Sequence, residues 1–320
     1  MRFLGHQVPV AVRVNLLNRC HSRCRYCSFW HTPTDELSTD EWLAVFEELA
    51  GLGTRRVSIS GGEPTLREDF GAIVSGAADQ GLSLGLNSTG HRFDRWRHVL
   101  PRIDLFKLSL DGRPEVHDRI RGYAGAFDEL LAAMELLREL DKPFMLTVTL
   151  TADALPEVPW LLDFAREQGA RIAFQPVIDH GHAHRTTRST FPDKEAFLGV
   201  VDLLQEVSSK EPELLRNTHG ALEAIRAWPD FGGVQCVAGK AFVMIEANGD
   251  VVPCDRISYE GPIPSLREHG VAGALERLPA VDCGGCGFLG SLELNRIMAG
   301  QFDAGLGALR LVGIRRPART

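Results

Sequence analysis

Six short runs of β-forming residues recur through the first half of this chain, each separated from the next by a stretch with helical spacing. They are VAVRVNL (10–16), RVSIS (56–60), LSLGLN (82–87), LFKLSL (105–110), FMLTVTL (144–150) and RIAFQPV (171–177). Strand and helix in alternation is the rhythm of βα units, because parallel neighbours need a crossover long enough to hold a helix. The clearest intervening segment is TDEWLAVFEELAGLG, where Ser38 or Thr39 can cap the first turn and Trp42, Val45, Phe46 and Leu49 fall on one face. Six parallel strands are two short of a closed eight-fold barrel. The sequence therefore predicts an α/β fold, a partial (β/α)6 TIM-like barrel over residues 1–190.

After Val177 the rhythm stops. DHGHAHRTTRST reads as a polar loop, residues 192–228 as two helices, and AFVMIEANGDVV as a β-hairpin turning at Asn248-Gly249. This divides the remainder into a helical connector at 191–232, a second small unit at 233–290, and a terminal helix and tail at 291–320. No apolar run approaches the roughly 18 residues that span a bilayer, and MRFLGHQVPVAVRVNL lacks the continuous apolar core of a signal peptide. The expected location is cytoplasmic, with no membrane partner. A formal charge of −7 with mixed signs offers no basic face, so no nucleic-acid partner is expected either.

Seven cysteines is an odd number, and in a reducing compartment pairing is a poor account of them. They fall into two groups: Cys20, Cys24 and Cys27, then Cys236, Cys254, Cys283 and Cys286, with none between. Clustered thiols point to metal. C-x3-C-x2-C offers three thiolates from one loop to a soft centre. Zinc would need a fourth ligand, which His21 or His31 could supply. A [4Fe–4S] cluster on three cysteines instead leaves one iron open. In α/β sheets ligands gather at the carboxyl ends of strands. There stand the cysteine loop, GGEPT after the second run, Asn87-Ser88-Thr89-Gly90 after the third, Asp111-Gly112 after the fourth, and the histidine loop just past Gln175.

C-x3-C-x2-C with Tyr26 before its last cysteine, GGEP at the end of the next strand, and an SLDG stretch later resemble the radical S-adenosylmethionine superfamily. Alone, GGEP is a strand-to-helix turn, and a strand-end Asn or Ser is a local cap. The resemblance implies a [4Fe–4S] cluster on Cys20, Cys24 and Cys27 whose open iron is chelated by the amino and carboxylate groups of S-adenosylmethionine. It implies that Gly61, Gly62, Glu63 and Pro64 receive the methionine amine, with Glu63 as acceptor and the glycines allowing close backbone approach. By position, Asn87 and Ser109 fall where relatives meet ribose and carboxylate, and Tyr26, Asp111 and Gln175 join the cosubstrate site. The chemistry implied is reductive cleavage to a 5′-deoxyadenosyl radical that takes a hydrogen atom from a C–H bond, with a flavodoxin- or ferredoxin-type electron donor.

The last four cysteines form C-x12-G-x4-C followed by C-x2-C, a set that alone would suit a tetrahedral zinc ribbon. Behind the first half they resemble the twitch domain, a shortened relative of SPASM, which implies one auxiliary [4Fe–4S] cluster on Cys236, Cys254, Cys283 and Cys286. A fully ligated cluster suits electron transfer, so an oxidative outcome is expected. The spacing resembles the butirosin-pathway alcohol dehydrogenase, and the expected substrate is a small polar intermediate, a sugar or aminocyclitol. The alternatives are a radical epimerase, with Tyr123, Tyr259 or a freed cysteine returning the hydrogen; a peptide-modifying enzyme, for which the nineteen residues ahead of Cys20 leave no leader-binding domain; and a non-catalytic zinc protein. His180, His182 and Arg185 of the histidine loop are candidates for a base or for contacts to substrate hydroxyls.

Overall fold

All six strand-forming runs fold as strands and lie parallel in one sheet. The computed structural model describes residues 2–3, 6–178, 190–233, 235–254, 261–281, 283 and 285–301. A short hairpin, β1 (Arg2–Phe3) and β2 (His6–Gln7), precedes β3 (Ala11–Asn15), α1 (Thr39–Leu52), β4 (Arg56–Ser60), α2 (Phe70–Asp79) and β5 (Ser83–Ser88). Next come β6 (Leu105–Ser109), α3 (Pro114–Arg121), α4 (Ala126–Glu139), β7 (Phe144–Leu150), α5 (Val158–Glu167) and β8 (Arg171–Pro176). The remainder holds α6 (Lys194–Lys210), α7 (His219–Ile225), β9 (Phe242–Ile245), β10 (Val251–Val252), α8 (Leu266–Glu276) and α9 (Leu289–Met298). Among the described residues no helix is long and apolar enough to cross a membrane.

The eight-stranded sheet runs β10-β9-β3-β4-β5-β6-β7-β8. Two of its strands come from the carboxyl-terminal hairpin, which the sequence assigns to a separate small unit. β9 lies parallel to β3 with Ala11 opposite Phe242 and Val14 opposite Ile245, and β10 is antiparallel to β9. The reason is burial. All four residues of β9, FVMI, are buried, and a strand apolar on both faces needs cover on both.

Helix α1 starts where expected. The Ser38 hydroxyl accepts from Glu41 N at 3.2 Å while the Glu41 carboxylate accepts from Ser38 N at 2.7 Å, a reciprocal capping box. Its Trp42, Val45, Phe46 and Leu49 are buried against strand residues such as Val57, Ile59 and Leu86. On the other sheet face the pattern inverts. Val57 and Ile59 of β4 and Phe106 and Leu108 of β6 are sealed under helices, whereas Arg56, Ser58, Lys107 and Ser109 between them are only half-buried. The concave face is polar and open to solvent, unlike the apolar filling of a closed (β/α)8 barrel.

Backbone hydrogen bonds fix the loop after β3 against the turn after β4: Leu16 N to Ser60 O (3.0 Å), Gly62 N to Leu17 O (2.7 Å) and Glu63 N to Arg19 O (3.0 Å). A Cβ on Gly61, whose φ is +132°, would stand 2.4 Å from Leu17 O, and one on Gly62 would stand 2.0 Å from Arg19 O. The glycines are thus required by close approach of the chain to itself, as well as by any ligand. Gly62→Ala is expected to lower stability by about 1–3 kcal/mol. Gly51→Ala, in the last turn of α1 with no atom within 4 Å of its Cβ, is expected to range from neutral to a gain of about 1 kcal/mol. Urea unfolding of the two variants checks this; equal effects would contradict the backbone-contact account.

Candidate active site

The loop carrying Cys20, Cys24 and Cys27 leaves β3 at the carboxyl edge of the sheet and is clamped along its length. Arg67 donates to Leu16 O at 2.9 Å and to Leu37 O at 3.1 Å, bracing both ends, while Asp69 holds the guanidinium at 2.7 Å. Asn18 Nδ2 donates to Thr32 O at 3.0 Å, and Arg23 N donates to Arg121 O at 2.7 Å, joining the loop to the end of α3. Cys24 is buried, and Cys20 and Cys27 are half-buried. Burial, with Glu63 adding to it, pushes the Cys20 thiol up to about 12, and burial with Cys24 pushes Cys27 up to about 11. The three groups are held as thiols until a cation favours the thiolate, which is the donor chemistry of a soft metal site.

Arg121 is a buried cation that touches this loop at Cys24. Its Nη1 lies 3.8 Å from Cys24 Sγ and donates to it, and its Nη2 lies 2.7 Å from Asp111 Oδ2, both side chains being buried. Burial raises the Cys24 thiol's pKa, and Arg121 and Tyr26 both act to lower it. Asp111 is closed in further, with Thr149 N donating to Oδ1 at 3.4 Å. Asp111 therefore stands behind Arg121 and acts on the cysteine loop through it.

The other expected contacts lie along strand ends. Glu63 is buried and accepts from Thr65 N (3.3 Å), Thr65 Oγ1 (2.8 Å), Ser88 Oγ (2.8 Å), Thr89 N (2.9 Å) and Thr89 Oγ1 (2.9 Å). A carboxylate has about four lone-pair positions, so this one is saturated by its own chain and ties the GGEP turn to the end of β5. Asn87 Nδ2 donates to Ser58 Oγ and Ile59 O, each at 3.0 Å. Ser109 faces Thr147 and Gln175 faces Thr149 across the ladders, all four half-buried on the concave face.

One group escaped the sequence reading. His21, inside the cysteine loop, stacks on His91 with ring centroids 3.9 Å apart, and His91 Nδ1 lies 2.8 Å from Glu129 Oε2. Tyr123 donates its hydroxyl hydrogen to Glu129 Oε1 at 2.8 Å, so the expected hydrogen donor is committed to this carboxylate. Burial first, opposed by Glu63 and reinforced by His91, lowers His21 to about 4. No periodicity joins positions 21, 91, 123 and 129, so only the tertiary fold could reveal the group. His180, His182, Arg185 and Tyr259 lie outside the described residues.

The second thiol group assembles at the opposite end of β3. Cys236 and Cys254 share a small apolar cluster with Ala238, Phe242 and Ala11, the first residue of β3. A hydrogen bond with Cys283, then burial, raises the Cys236 thiol, and Cys286 adds to the shift. α9 holds this region through Asn295, whose Oδ1 accepts from Val237 N at 3.0 Å, and through Glu293, which accepts from Thr218 N at 3.1 Å. Soft donors gathered in apolar surroundings fit an iron–sulfur cluster at each end. Four rises of about 3.3 Å make β3 about 13 Å long, with the first thiol group beyond its carboxyl end and the second at its amino end.

Residues 14–162 match the family model of the radical SAM superfamily. The chain is 30% identical over 263 residues to a PqqA peptide cyclase of Bradyrhizobium diazoefficiens, covering 77% of this chain and 67% of that protein. It is 26% identical over 322 residues to the AdoMet-dependent heme synthase of Methanosarcina barkeri, covering 91% and 90%. Among solved structures it is similar to Streptococcus suis SuiB bound to S-adenosylmethionine, with a TM-score of 0.68 at 16% identity over 83% of this chain. It spans 65% of that SuiB chain.

Arg121→Leu leaves Asp111 buried without its cation and is expected to cost about 3–5 kcal/mol, with Arg121→Lys intermediate because a single ammonium cannot reach both Asp111 and Cys24. Urea denaturation of the three proteins checks it; a loss below about 1 kcal/mol for Arg121→Leu would remove the pair from the clamp.

Proposed function

This chain belongs to the radical SAM superfamily, and on that premise we propose that it oxidises a C–H-bearing carbon, most simply that of a secondary alcohol, on a polar substrate seated in the concave face of the sheet. Cys20, Cys24 and Cys27 would hold a [4Fe–4S] cluster together with S-adenosylmethionine, and Cys236, Cys254, Cys283 and Cys286 an auxiliary one. When bound, these groups supply a 5′-deoxyadenosyl radical to take the hydrogen atom and an acceptor for the electron that must leave with a proton.

The observation that carries the reading is the placement of two thiol groups at the two ends of β3, beside a concave face lined by hydroxyls and amides. Ser58, Asn87, Ser109, Thr147 and Gln175 offer donors and acceptors for an oxygen-rich substrate such as a sugar or aminocyclitol. The sealed apolar side of each strand keeps water to one face. Arg121 places a fixed positive charge beside Cys24, which favours the thiolate form there. A peptide substrate is the second reading. It is favoured by the PqqA peptide cyclase relative, and a peptide side chain reaching the same lining would meet the same groups.

Anaerobic reconstitution is expected to give about eight irons per chain, four for each cluster, and cleavage of S-adenosylmethionine to 5′-deoxyadenosine. Cys24→Ser is expected to abolish cleavage, whereas Cys236→Ser keeps it while losing about half the iron. Stoichiometric zinc with no cleavage would sink the enzyme reading. With candidate sugars or peptides in deuterated buffer, an oxidised product without solvent deuterium at its carbon supports oxidation, and deuterium at an inverted carbon points to epimerisation.

A further inference from the structure

Cationic side chains gather on the concave face, Lys107 level with Asn87 and Arg56 nearer the amino ends of the strands. Lys107 stands mid-strand in β6, opposite Asn87 on one side and Met145 on the other. Arg56 opens β4 on the same face, with its Nη2 3.9 Å from where a Cβ on Gly85 would lie. Arg216 follows Leu215, which bridges in parallel to Ile172 on the free edge of β8. Among the described residues, neither Lys107 nor Arg56 nor Arg216 makes a side-chain hydrogen bond or ion pair.

The neighbouring charges do not cancel these. Arg13 adds a fourth cation, its Nη2 3.4 Å from Ser60 Oγ and its guanidinium 5.2 Å from the Phe288 ring centre. Arg171 is paired with Glu213. Asp104 attracts Arg56 but is exposed and has one oxygen accepting from Leu84 N at 2.8 Å. Glu293 attracts Arg216, yet it is hydrogen-bonded to Thr218 and its pKa is raised by burial. Among the described residues, the charges that act on Lys107 are cations. Burial first, then Arg56, Arg13 and Arg216, lower its pKa to about 7. Lys107 is surrounded by protein but still borders open space.

Unpaired cations in such a setting are costly, and a chain of net charge −7 has acids enough to pair them if stability alone were served. We infer that Lys107, Arg56 and Arg216 form an oxyanion subsite that holds a carboxylate or phosphate group of the substrate. The inference rests on the concave face being the substrate site. It narrows the substrate to one bearing a compact anionic group, oriented with that group toward the amino ends of the strands and its reacting carbon toward the cysteine loop. The positive face inside a negatively charged protein also concentrates such a ligand over neutral competitors.

The test is thermal unfolding of the anaerobically reconstituted full chain, with S-adenosylmethionine present or absent, in inorganic phosphate, in propionate, and in chloride at matched ionic strength. A saturable rise in Tm with phosphate or propionate, but not chloride, is expected for the unsubstituted chain, and the anion that gives it identifies the group. The rise is expected to vanish in Lys107→Met and in Arg56→Gln. Without added anion, Lys107→Met is expected to melt higher than the unsubstituted chain, because an unpaired charge is gone. Equal shifts in the variants, no saturable shift with either anion, or a lower Tm for Lys107→Met would overturn the subsite. Loss of the anion response on adding S-adenosylmethionine would assign the cations to the cosubstrate's own carboxylate and overturn the substrate reading. None of these readouts needs radical chemistry, so a failure here is separate from a failure of the proposed oxidation.

Discussion

Strand β3 is the member on which the rest of the molecule hangs. One edge pairs with β4, residue for residue from Ala11–Arg56 to Asn15–Ser60, and the other with β9. The first ladder brings the GGEP turn under the cysteine loop, where Gly61 and Gly62 touch the backbone of residues 16–19 with no room for a side chain. The second brings Phe242 beside Ala11, and with it the cluster that holds Cys236 and Cys254. Two thiol groups far apart in the chain are thereby brought to the two ends of one short strand.

The same ladders divide the sheet into a structural face and a working face. Valine, isoleucine, leucine and phenylalanine on the helix side supply the burial that holds the fold. The opposite face carries Arg13, Ser58, Asn87, Lys107 and Ser109, polar groups that are only half-buried. A closed eight-stranded barrel would fill this space with apolar side chains. Here the sheet remains open between β8 and β10, and α9 links the two flanks through Glu293 to Thr218 and Asn295 to Val237.

Local signals in the sequence were sufficient where the physics is local. The six strands, the Ser38 cap and the apolar face of α1 each follow from periodicity or from residues three or four apart. The first cysteine group was visible because thiol spacing within a loop is itself local. The second, spread from Cys236 to Cys286 across β9, β10 and α8, was read as one set only through its resemblance to the twitch domain. The clamp on Cys24 was not visible, since Arg121 lies 97 positions away and reaches the sulfur only after α3 folds back across the loop. The docking of β9 onto β3 was missed for a similar reason: alternation identifies a strand but does not name its neighbour. The lumen cations left a signal that went unread. RVSIS and LFKLSL alternate polar with apolar, whereas a parallel strand buried on both faces should be apolar throughout.

Glu63 shows how a motif residue can be explained by the fold itself. Its five donors come from Thr65, Ser88 and Thr89, so the carboxylate fastens the end of β4 to the end of β5. An ammonium arriving at this turn would have to compete with those donors for the same lone pairs. The carbonyls of Ser60, Glu63 and Pro64 are also engaged, accepting from the backbone N–H groups of Leu16, Leu66 and Arg67. The carboxylate and the main chain of the turn together hold its shape. That arrangement places the requirement for glycine and the requirement for glutamate on one physical footing, the close approach of three backbone segments at the carboxyl edge of the sheet.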